Sequence, residues 1–431
     1  MKALVFSLFV SFFLAIAPAA PSSAEDIPNT SAALNAAAVK AYQGKNYAGF
    51  LAYEKRASAL EPANPRLLYN VACGESLTGS GQEAIRLLKQ LADRKLDLGA
   101  ENDDDFASIR NMPEWASLKA KLAGLRKPLV RSEIAFKLTE PGLVATGIAM
   151  DPDSGDTFIA SVRERKIVRR TRAGQISDFI HEGQDGFLAG GSLAMDAGRH
   201  VLYASASGVP FMRGYQKGDE NVSGVFAFDL KSGKLMRKVF LASDGKPHFL
   251  NALLLDRDGN LYVSDSLASG IYRLRPSAHE LEVFVPKDVF RASQGLAFSD
   301  DEKTMFVVDY SDGLWAVDMS SKQRRHIKGP PDIWLGGLDG ISRVGNSFIT
   351  VQIGVRPERV LRLTLDAKAQ GIDRVDILEM SHPEYDEPIQ GVIDGRSFYY
   401  VANSQLRLGN GQTGAFAEEQ GRATVILRLP L

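Results

Sequence analysis

The feature that most constrains the fold is a four-strand pattern that recurs six times in the C-terminal part of the chain. In its clearest copy, residues 251–286, the apolar runs ALLL, LYVS, GIYRL and LEVFV are each about one strand long. Turn residues, such as those at 256–260, separate the runs and predict a four-stranded antiparallel meander. The same plan fits five further segments, namely 146–180, 191–241, 294–328, 339–380 and 390–431.

Six such units predict a six-bladed β-propeller, a mainly β fold. A single four-stranded sheet has two open edges and buries little surface, whereas sheets stacked radially around an axis bury both faces. The last unit has three recognisable strands, GVID, SFYYVA and TVILRLPL, while an earlier segment at 133–139, EIAFKLT, has no partner. We therefore expect this early strand to complete the last blade and close the ring.

The N-terminus has the pattern of an export signal. Met1 and Lys2 precede an apolar run over 3–17, and small residues lie just before Glu25. This predicts a signal peptide, residues 1–24, a periplasmic or secreted protein, and no integral membrane segment after cleavage. Cys73 is the sole cysteine, which excludes an intramolecular disulfide. A net charge of −1 without a basic run argues against a nucleic-acid partner.

Between the signal and the propeller the apolar period changes to that of helices. Residues 47–60 and 82–98 are apolar-periodic runs that follow turn-like breaks about one repeat length apart, and together they resemble a pair of tetratricopeptide repeats. We expect a helical domain over 25–125 that packs on the propeller domain, 126–431. Two readings stay open: the helices dock a protein partner, or they are a stabilising cap.

Two rings of side chains should meet at one mouth of the propeller channel. The first ring, at the start of each inner strand, is Thr146, Gly191, Asn251, Gln294, Asp339 and Gln390. The second, at the end of each second strand, is Ser161, Ser205, Asp265, Asp309, Gln352 and Asn403. Buried amide and carboxylate groups need a ligand, an ion, water or backbone as partners. Converging oxygens in the first ring suit calcium, whereas Asp265 and Asp309 are typical of turn-capping aspartates.

With these residues the chain resembles the gluconolactonase and regucalcin family of six-bladed propellers, which includes calcium-dependent lactonases. In that family a Glu, two Asn and an Asp surround one divalent metal, and the Asp is also the proposed acid/base residue. The resemblance implies that Asn251 and Asp339 are metal ligands and that Asp339 is catalytic. Gln294 stands in place of the second Asn, and Thr146 in place of the Glu. Loss of one carboxylate implies a weakly held calcium, or none.

Loops over the same mouth supply further candidates. Two are long, 206–223 and 404–423, and the first carries Arg213 and Tyr215. Loops that precede the inner strands add Trp334 and His248, which lies three residues before Asn251 and is a candidate for proton transfer. Thr146, Gln390, Arg213, Tyr215 and Trp334 are the predicted substrate-binding residues. Ordinary surface loops and a structural histidine are the alternative readings.

The sequence supports two functions of different classes. The first is an exported lactonase or esterase-like hydrolase that acts on a small lactone or sugar-acid ligand, with Asp339 and His248 as catalytic residues and calcium held by Asn251, Gln294 and Asp339. The second is a non-catalytic propeller that binds a small molecule or glycan while its helices dock a protein partner. A quinone-dependent sugar dehydrogenase is disfavoured because no axial histidine base with cationic cofactor contacts is evident.

Overall fold

The N-terminal part of the chain is helical. The computed structural model describes residues 29–431, so the predicted signal peptide lies outside the described residues. In the described part the α-helices are α1 Ser31–Gln43, α2 Tyr47–Leu60, α3 Pro65–Leu77, α4 Gly81–Asp93 and α5 Pro113–Leu125. Two short 3-10 turns, Ala100–Asn102 and Asp104–Ile109, lie between α4 and α5.

Local sequence sets the ends of these helices. Asn46 caps α2 by accepting the Gly49 N–H at 2.9 Å, and Pro65 begins α3, where the missing N–H costs nothing. The apolar period predicts a run to residue 98, but α4 ends at Asp93. The chain leaves the helix there because Lys95 has a left-handed φ of 62°, which turns the following residues away from the helix axis.

Six four-stranded antiparallel sheets follow, as the repeat predicts. Blades 1 to 3 comprise β2 Ala145–Met150, β3 Thr157–Ser161, β4 Ile167–Arg170, β5 Ile176–Ile180; β6 Ala189–Asp196, β7 Val201–Ser207, β8 Ser223–Asp229, β9 Leu235–Phe240; β10 Leu250–Leu255, β11 Leu261–Asp265, β12 Ile271–Leu274 and β13 Glu282–Val285. Blades 4 and 5 comprise β14 Ser293–Phe298, β15 Thr304–Asp309, β16 Gly313–Asp318, β17 Arg324–Ile327; β18 Leu338–Val344, β19 Ser347–Gln352, β20 Arg359–Leu365 and β21 Ile372–Met380.

Blade 6 contains both ends of the propeller. Its order is β1 Glu133–Leu138, β24 Thr424–Pro430, β23 Ser397–Val401 and β22 Gly391–Asp394. Strand β1 pairs antiparallel with β24, from Glu133 opposite Arg428 to Leu138 opposite Thr424. The predicted closure of the ring by the early strand is confirmed, because backbone hydrogen bonds join the first and last strands of the propeller in one blade.

The innermost strands approach one another closely around the axis. A Cβ atom added to Gly295 would lie 2.6 Å from the Gly340 Cα atom, and one added to Gly147 would lie 2.8 Å from the Gly191 carbonyl oxygen. Larger residues at these positions would push the blades apart. Between blades, the sheets bury aromatic and branched side chains, for example Phe158, Phe187, Phe226, Phe306 and Phe348.

The helical domain packs on loops of blades 4 and 5, as expected. Asp97 donates its N–H to the Arg356 carbonyl at 2.7 Å, and Arg66 donates to the Gly354 carbonyl at 3.3 Å. Val355 belongs to the hydrophobic core of the helices, with Trp334 packed against it. These loops lie where inner strands begin and second strands end, so the helices flank the mouth that carries both polar rings.

The segment between α5 and β1 is tied to blade 5 by a buried carboxylate that the sequence analysis did not single out. Glu379 is fully buried and accepts the N–H groups of Arg131 and Ser132 at 2.8 and 2.7 Å. It also accepts hydroxyl hydrogen bonds from Ser132, Tyr385 and Tyr400. Burial alone raises a carboxyl pKa, but these donors outweigh it and lower the pKa of Glu379.

Among residues 29–431, every helix is too short or too polar to cross a lipid bilayer.

Candidate functional site

The first ring forms a connected belt around the axis, which we call the axial ring: Thr146, Gly191, Asn251, Gln294, Asp339 and Gln390. In the half formed by blades 3 to 5, the Asn251 side-chain amide donates to Oε1 of Gln294. Gln294 and Asp339 are followed by Gly295 and Gly340, whose backbones touch. The structure therefore brings the three predicted metal ligands, which are 88 residues apart in sequence at the extremes, onto adjoining strands.

The other half of the axial ring is held by backbone contacts. Oδ2 of Asp339 accepts the Gln390 N–H at 2.8 Å, and Nε2 of Gln390 donates to the Thr146 carbonyl at 3.3 Å. Thr146 is buried and donates its hydroxyl to the Gly190 carbonyl at 2.6 Å. Gly191 has no side chain, which allows the backbone of blade 2 to approach the Leu250 carbonyl of blade 3. Thr146 and Gln390, two of the predicted substrate-binding residues, thus lie next to Asp339.

Asp339 is the carboxylate of the axial ring and is only partly exposed. Burial raises the pKa of Asp339 to about 6, although the Gln390 N–H bound to Oδ2 acts in the opposite direction. The carboxyl group is therefore largely ionised at neutral pH yet close enough to neutrality to exchange a proton. A group in this range is suited to act as a general base.

The donor set of the axial ring fits a hard cation bound weakly. Asn251, Gln294 and Asp339 offer amide and carboxylate oxygens, which are calcium's preferred ligands, but they supply a single negative charge. Gln294 Oε1 already accepts the Asn251 amide, so a cation would have to replace that hydrogen bond. Both facts favour affinity at the weak end of calcium sites.

The second ring has a structural role that the sequence predicts for two members. Asp265 accepts the N–H groups of Phe249, Leu267 and Ala268, and Asp309 accepts those of Arg291, Ser311 and others. In blade 5, Gln352 donates to the Trp334 and Gly336 carbonyls. Each of these residues ties the loop that precedes the inner strand to the end of the second strand of the same blade.

His248 lies between two carboxylates. Its Nδ1 atom is 2.5 Å from Asp265 and its Nε2 atom is 3.0 Å from Asp244, which also pairs with Lys287. Burial favours the neutral imidazole, but the two carboxylates outweigh it and raise the pKa of His248. With both ring nitrogens engaged, His248 would have to release Asp244 before it could exchange a proton with a ligand.

The two long loops contact each other over blade 1. We call residues 206–223 the blade-2 loop and residues 404–423 the blade-6 loop. Arg213 pairs with Glu164 at 2.7 Å and approaches Glu418, which also binds Arg163 at 2.7 Å. The Phe211 and Phe416 rings stack 6.5 Å apart, and the Arg163 guanidinium lies 4.7 Å from the Phe416 ring centre. The loops therefore form a joint cover on one side of the mouth.

The remaining predicted binding residues have other partners. Tyr215 donates its hydroxyl to Glu220 at 2.5 Å, and this carboxylate raises the pKa of Tyr215 to about 12. Trp334 packs against the helical core with the Arg66 guanidinium 6.0 Å from its ring centre. The structure thus places Trp334 between the two domains rather than beside Asp339.

Sequence reasoning did not single out two carboxylates in the loops of blades 5 and 6. Glu358 is buried and pairs with Arg356, while Glu387 is partly buried and accepts the Arg407 N–H at 2.8 Å. Burial raises the pKa of both groups. A signal existed for Glu387, because it precedes Gln390 by three residues as His248 precedes Asn251.

A further acidic cluster, in the helical domain, joins Cys73, Asp103 and Asp105. Tyr42 donates to Asp105 at 2.5 Å and Tyr69 donates to Asp103 at 2.9 Å. Burial and the two carboxylates raise the pKa of the Cys73 thiol, so sulfur stays protonated and is a poor metal ligand. These contacts identify the cluster as a hydrogen-bonded support for the 3-10 turns.

Comparisons with known proteins identify the fold but not a family by sequence. No family model and no curated protein sequence matches the chain. A luciferin-regenerating enzyme matches by structure with a TM-score of 0.50 and 14% identity, over 70% of this chain and 96% of that chain. A gluconolactonase from Xanthomonas campestris matches with a TM-score of 0.48 and 16% identity, over 72% and 93% of the two chains.

At 14% identity, the match to the luciferin-regenerating enzyme demonstrates a common fold and leaves activity open. The structural neighbours of this chain include gluconolactonase-type propellers, as the sequence resemblance predicts, and the chain is a six-bladed β-propeller preceded by helices.

Proposed function

We propose that this chain is an exported, lactonase- or esterase-like propeller that binds a small lactone or related ester at the axial ring and hydrolyses it. The observation that carries the proposal is Asp339: a partly exposed carboxyl group with a pKa of about 6, set among amide side chains on the axis. The fold shared with gluconolactonase-type propellers is consistent with this role but does not carry it.

Hydrolysis of a lactone needs a group that takes a proton from the attacking water near neutral pH. Asp339 meets that need because its carboxyl group is mostly ionised above pH 6. Its Oδ2 atom is held by the Gln390 N–H, which fixes the orientation of the carboxylate and leaves Oδ1 for the water. Thr146 and Gln390, which adjoin Asp339, would contact the oxygen-bearing part of the ligand.

Asn251, Gln294 and Asp339 would hold the calcium ion that the resemblance implies. When bound, calcium polarises an ester carbonyl and stabilises the negative charge that develops on its oxygen. The single carboxylate keeps the affinity low, so we expect the ion to be lost easily on chelation.

The test uses the mature protein stripped of metal with a chelator. Hydrolysis of simple lactones and aryl esters is followed before and after calcium is restored, for wild type and for Asp339→Ala. We expect Asp339→Ala to lower kcat/KM by at least about 100-fold, the usual minimum contribution of a general base. Activity that survives both the chelator and the substitution would refute the proposal.

A second function, non-catalytic binding, is favoured by one specific contact. The Asn251 side-chain amide donates to Oε1 of Gln294 in the axial ring, so these two residues make contact without an ion between them. In that case the propeller would bind a small molecule or glycan and the helices would dock a protein partner. Ligands that raise the unfolding temperature without being hydrolysed would favour this function over the first.

A further inference from the structure

An apolar pocket lies beneath the contact between the blade-2 and blade-6 loops. Its walls include Val209, Phe211, Phe249, Leu267 and Leu406, together with His248. Blades 3 and 6 face each other across the axis of a six-bladed ring, yet His248 precedes blade 3 and Leu406 belongs to the blade-6 loop. The blade-6 loop therefore reaches past blade 1 to complete this pocket with residues of the blade-2 loop and of blade 3.

The two ionisable side chains of the pocket, Glu220 and His248, already have hydrogen-bond partners. Glu220 accepts the Tyr215 hydroxyl at 2.5 Å and the Gly218 N–H at 2.7 Å, and both nitrogens of His248 face carboxylates. A hydroxyl group placed here would lose its hydrogen bonds to water and would have to compete with these existing contacts for new ones, which disfavours polar ligands. An aliphatic group would lose nothing.

The size of the pocket limits what it accepts. Its volume is about 30 Å³. A cavity needs roughly 10–15 Å³ to hold one water-sized group, so the pocket has room for about two or three carbon atoms. The walls have limited freedom to retreat, because Gly409 packs against the Phe211 ring and Phe211 stacks on Phe416.

We propose that this pocket binds a short aliphatic substituent of the ligand, so that the preferred substrates are lactones with a one- to three-carbon side chain rather than fully hydroxylated sugar lactones. The proposal rests on the proposed function, since it assumes that the ester end of the ligand lies at the axial ring. It assigns specificity to Val209 and Leu406, which lie on different loops.

The experiment measures how tightly the mature protein binds, and how fast it hydrolyses, a series of lactones with lengthening side chains and one sugar lactone. The series is γ-butyrolactone, γ-valerolactone, γ-hexalactone, γ-heptalactone, γ-nonalactone and glucono-1,5-lactone. Dissociation constants come from calorimetry with Asp339→Ala, in which hydrolysis is suppressed, and kcat/KM values come from wild type. One methylene in a hydrophobic pocket is worth roughly 10–200-fold in discrimination. We expect at least about tenfold tighter binding for each carbon up to the ethyl or propyl substituent, no gain beyond it, and weaker binding of gluconolactone.

Two substitutions should change the substituent length that binds most tightly, in opposite directions. Leu406→Ala enlarges the pocket and should shift the best substituent to a longer chain, whereas Val209→Ile should shift it to a shorter one. Val222→Ala is the matched control, because Val222 is an exposed residue of the blade-2 loop outside the pocket, and it should leave the series unchanged. Unfolding temperatures confirm that each variant is folded.

The outcomes separate this inference from the proposed function. Binding that depends on chain length without hydrolysis would support the pocket and refute the hydrolase. Hydrolysis at rates that do not depend on the substituent would refute the proposed role of the pocket without affecting the proposed hydrolase function. An equal response of the Leu406→Ala and Val222→Ala variants would do the same. Absence of binding by every lactone would overturn both.

Discussion

At the scale of single residues, the charge and the acid–base chemistry of the axial ring depend on one carboxyl group and its surroundings. Asp339 differs from ordinary surface aspartates because protein surrounds most of it, and its pKa rises to about 6. His248 shows the opposite balance, since two carboxylates raise its pKa despite burial. The surroundings of Asp339 include a contact between blades 5 and 6, which no single repeat contains, whereas the partners of His248 lie in blade 3 and the loop that precedes it.

The raised pKa of Asp339 predicts a pH-dependent stability difference. The folded state holds the proton more tightly than the unfolded chain, so ionisation above pH 6 costs stability, and this cost shrinks as the pH falls and vanishes only near pH 3, where the unfolded chain is protonated as well. We expect Asp339→Asn to be more stable than wild type by about 1–3 kcal/mol at pH 8, from a shift of about two pK units, and by only about a third as much near pH 4.5. Denaturant unfolding at both pH values measures this.

Asp394→Asn is the control, because Asp394 lies exposed in the same ring of inner strands. It should show no such change between pH 4.5 and pH 8. A stability gap for Asp339→Asn that is the same at both pH values would mean that the carboxyl group is not buried as described.

At the scale of elements, the two long loops behave as one unit. Phe416 is its centre, since it stacks on Phe211 and lies beneath the Arg163 guanidinium. Exposed ion pairs such as that of Glu418 contribute only about 0–1 kcal/mol, so the aromatic contact should dominate. Arg407 and Arg422 fix the ends of the blade-6 loop to Asp386, so its contact with the blade-2 loop is the part that depends chiefly on the Phe416 ring.

We expect Phe416→Ala to release the blade-6 loop while the propeller stays folded. Cleavage of residues 404–423 by a low concentration of protease should become at least tenfold faster, with a change of a few degrees or less in the unfolding temperature. Phe240→Ala removes an exposed phenylalanine on the outer strand of blade 2 and should leave the cleavage rate unchanged. Equal cleavage of both variants would argue against the loop contact.

Sequence periodicity predicts most of the elements because strands and helices have local signals. The six inner strands, the axial ring and the unpaired strand at 133–139 all follow from the repeat. Glu379 could not be predicted in this way, because its donors Arg131 and Ser132 are almost 250 residues distant and no local pattern distinguishes it. The proximity of Leu406 to His248 could not be predicted either. The sequence shows the length of the blade-6 loop, but the direction of the loop is set by tertiary contacts.

At the scale of the whole molecule, the helices and the propeller share an interface at the mouth. Trp334 lies in it, packed on the helical core, and Val355 is buried there. The helices bury a hydrophobic core that runs from Ala38 to Leu125, and Val355 and Trp334 extend it, so contact with the propeller should stabilise them further. This expectation agrees with the reading of the helical domain as a cap and leaves its outer surface open to a partner.

We expect Trp334→Ala to weaken the helical domain selectively. Loss of this partly buried side chain should cost about 1–3 kcal/mol and separate a low-temperature transition of the helices from that of the propeller in calorimetry. Trp315→Ala provides a tryptophan control within blade 4, where Trp315 contacts Phe290 and His326, and it should lower the propeller transition instead. The same effect from both substitutions would mean that the domains unfold as one.

Pairing of β1 with β24 has a consequence for how the molecule is made. Glu133 and Arg428 are 295 residues apart in sequence, so the partner of β1 is synthesised long after β1 itself. Throughout synthesis the nascent chain carries an incomplete sixth blade whose edge can pair with other strands. Removing the seven residues of β24 would leave β1 without its partner strand, so the ring cannot close into a protease-resistant molecule until β24 has been synthesised.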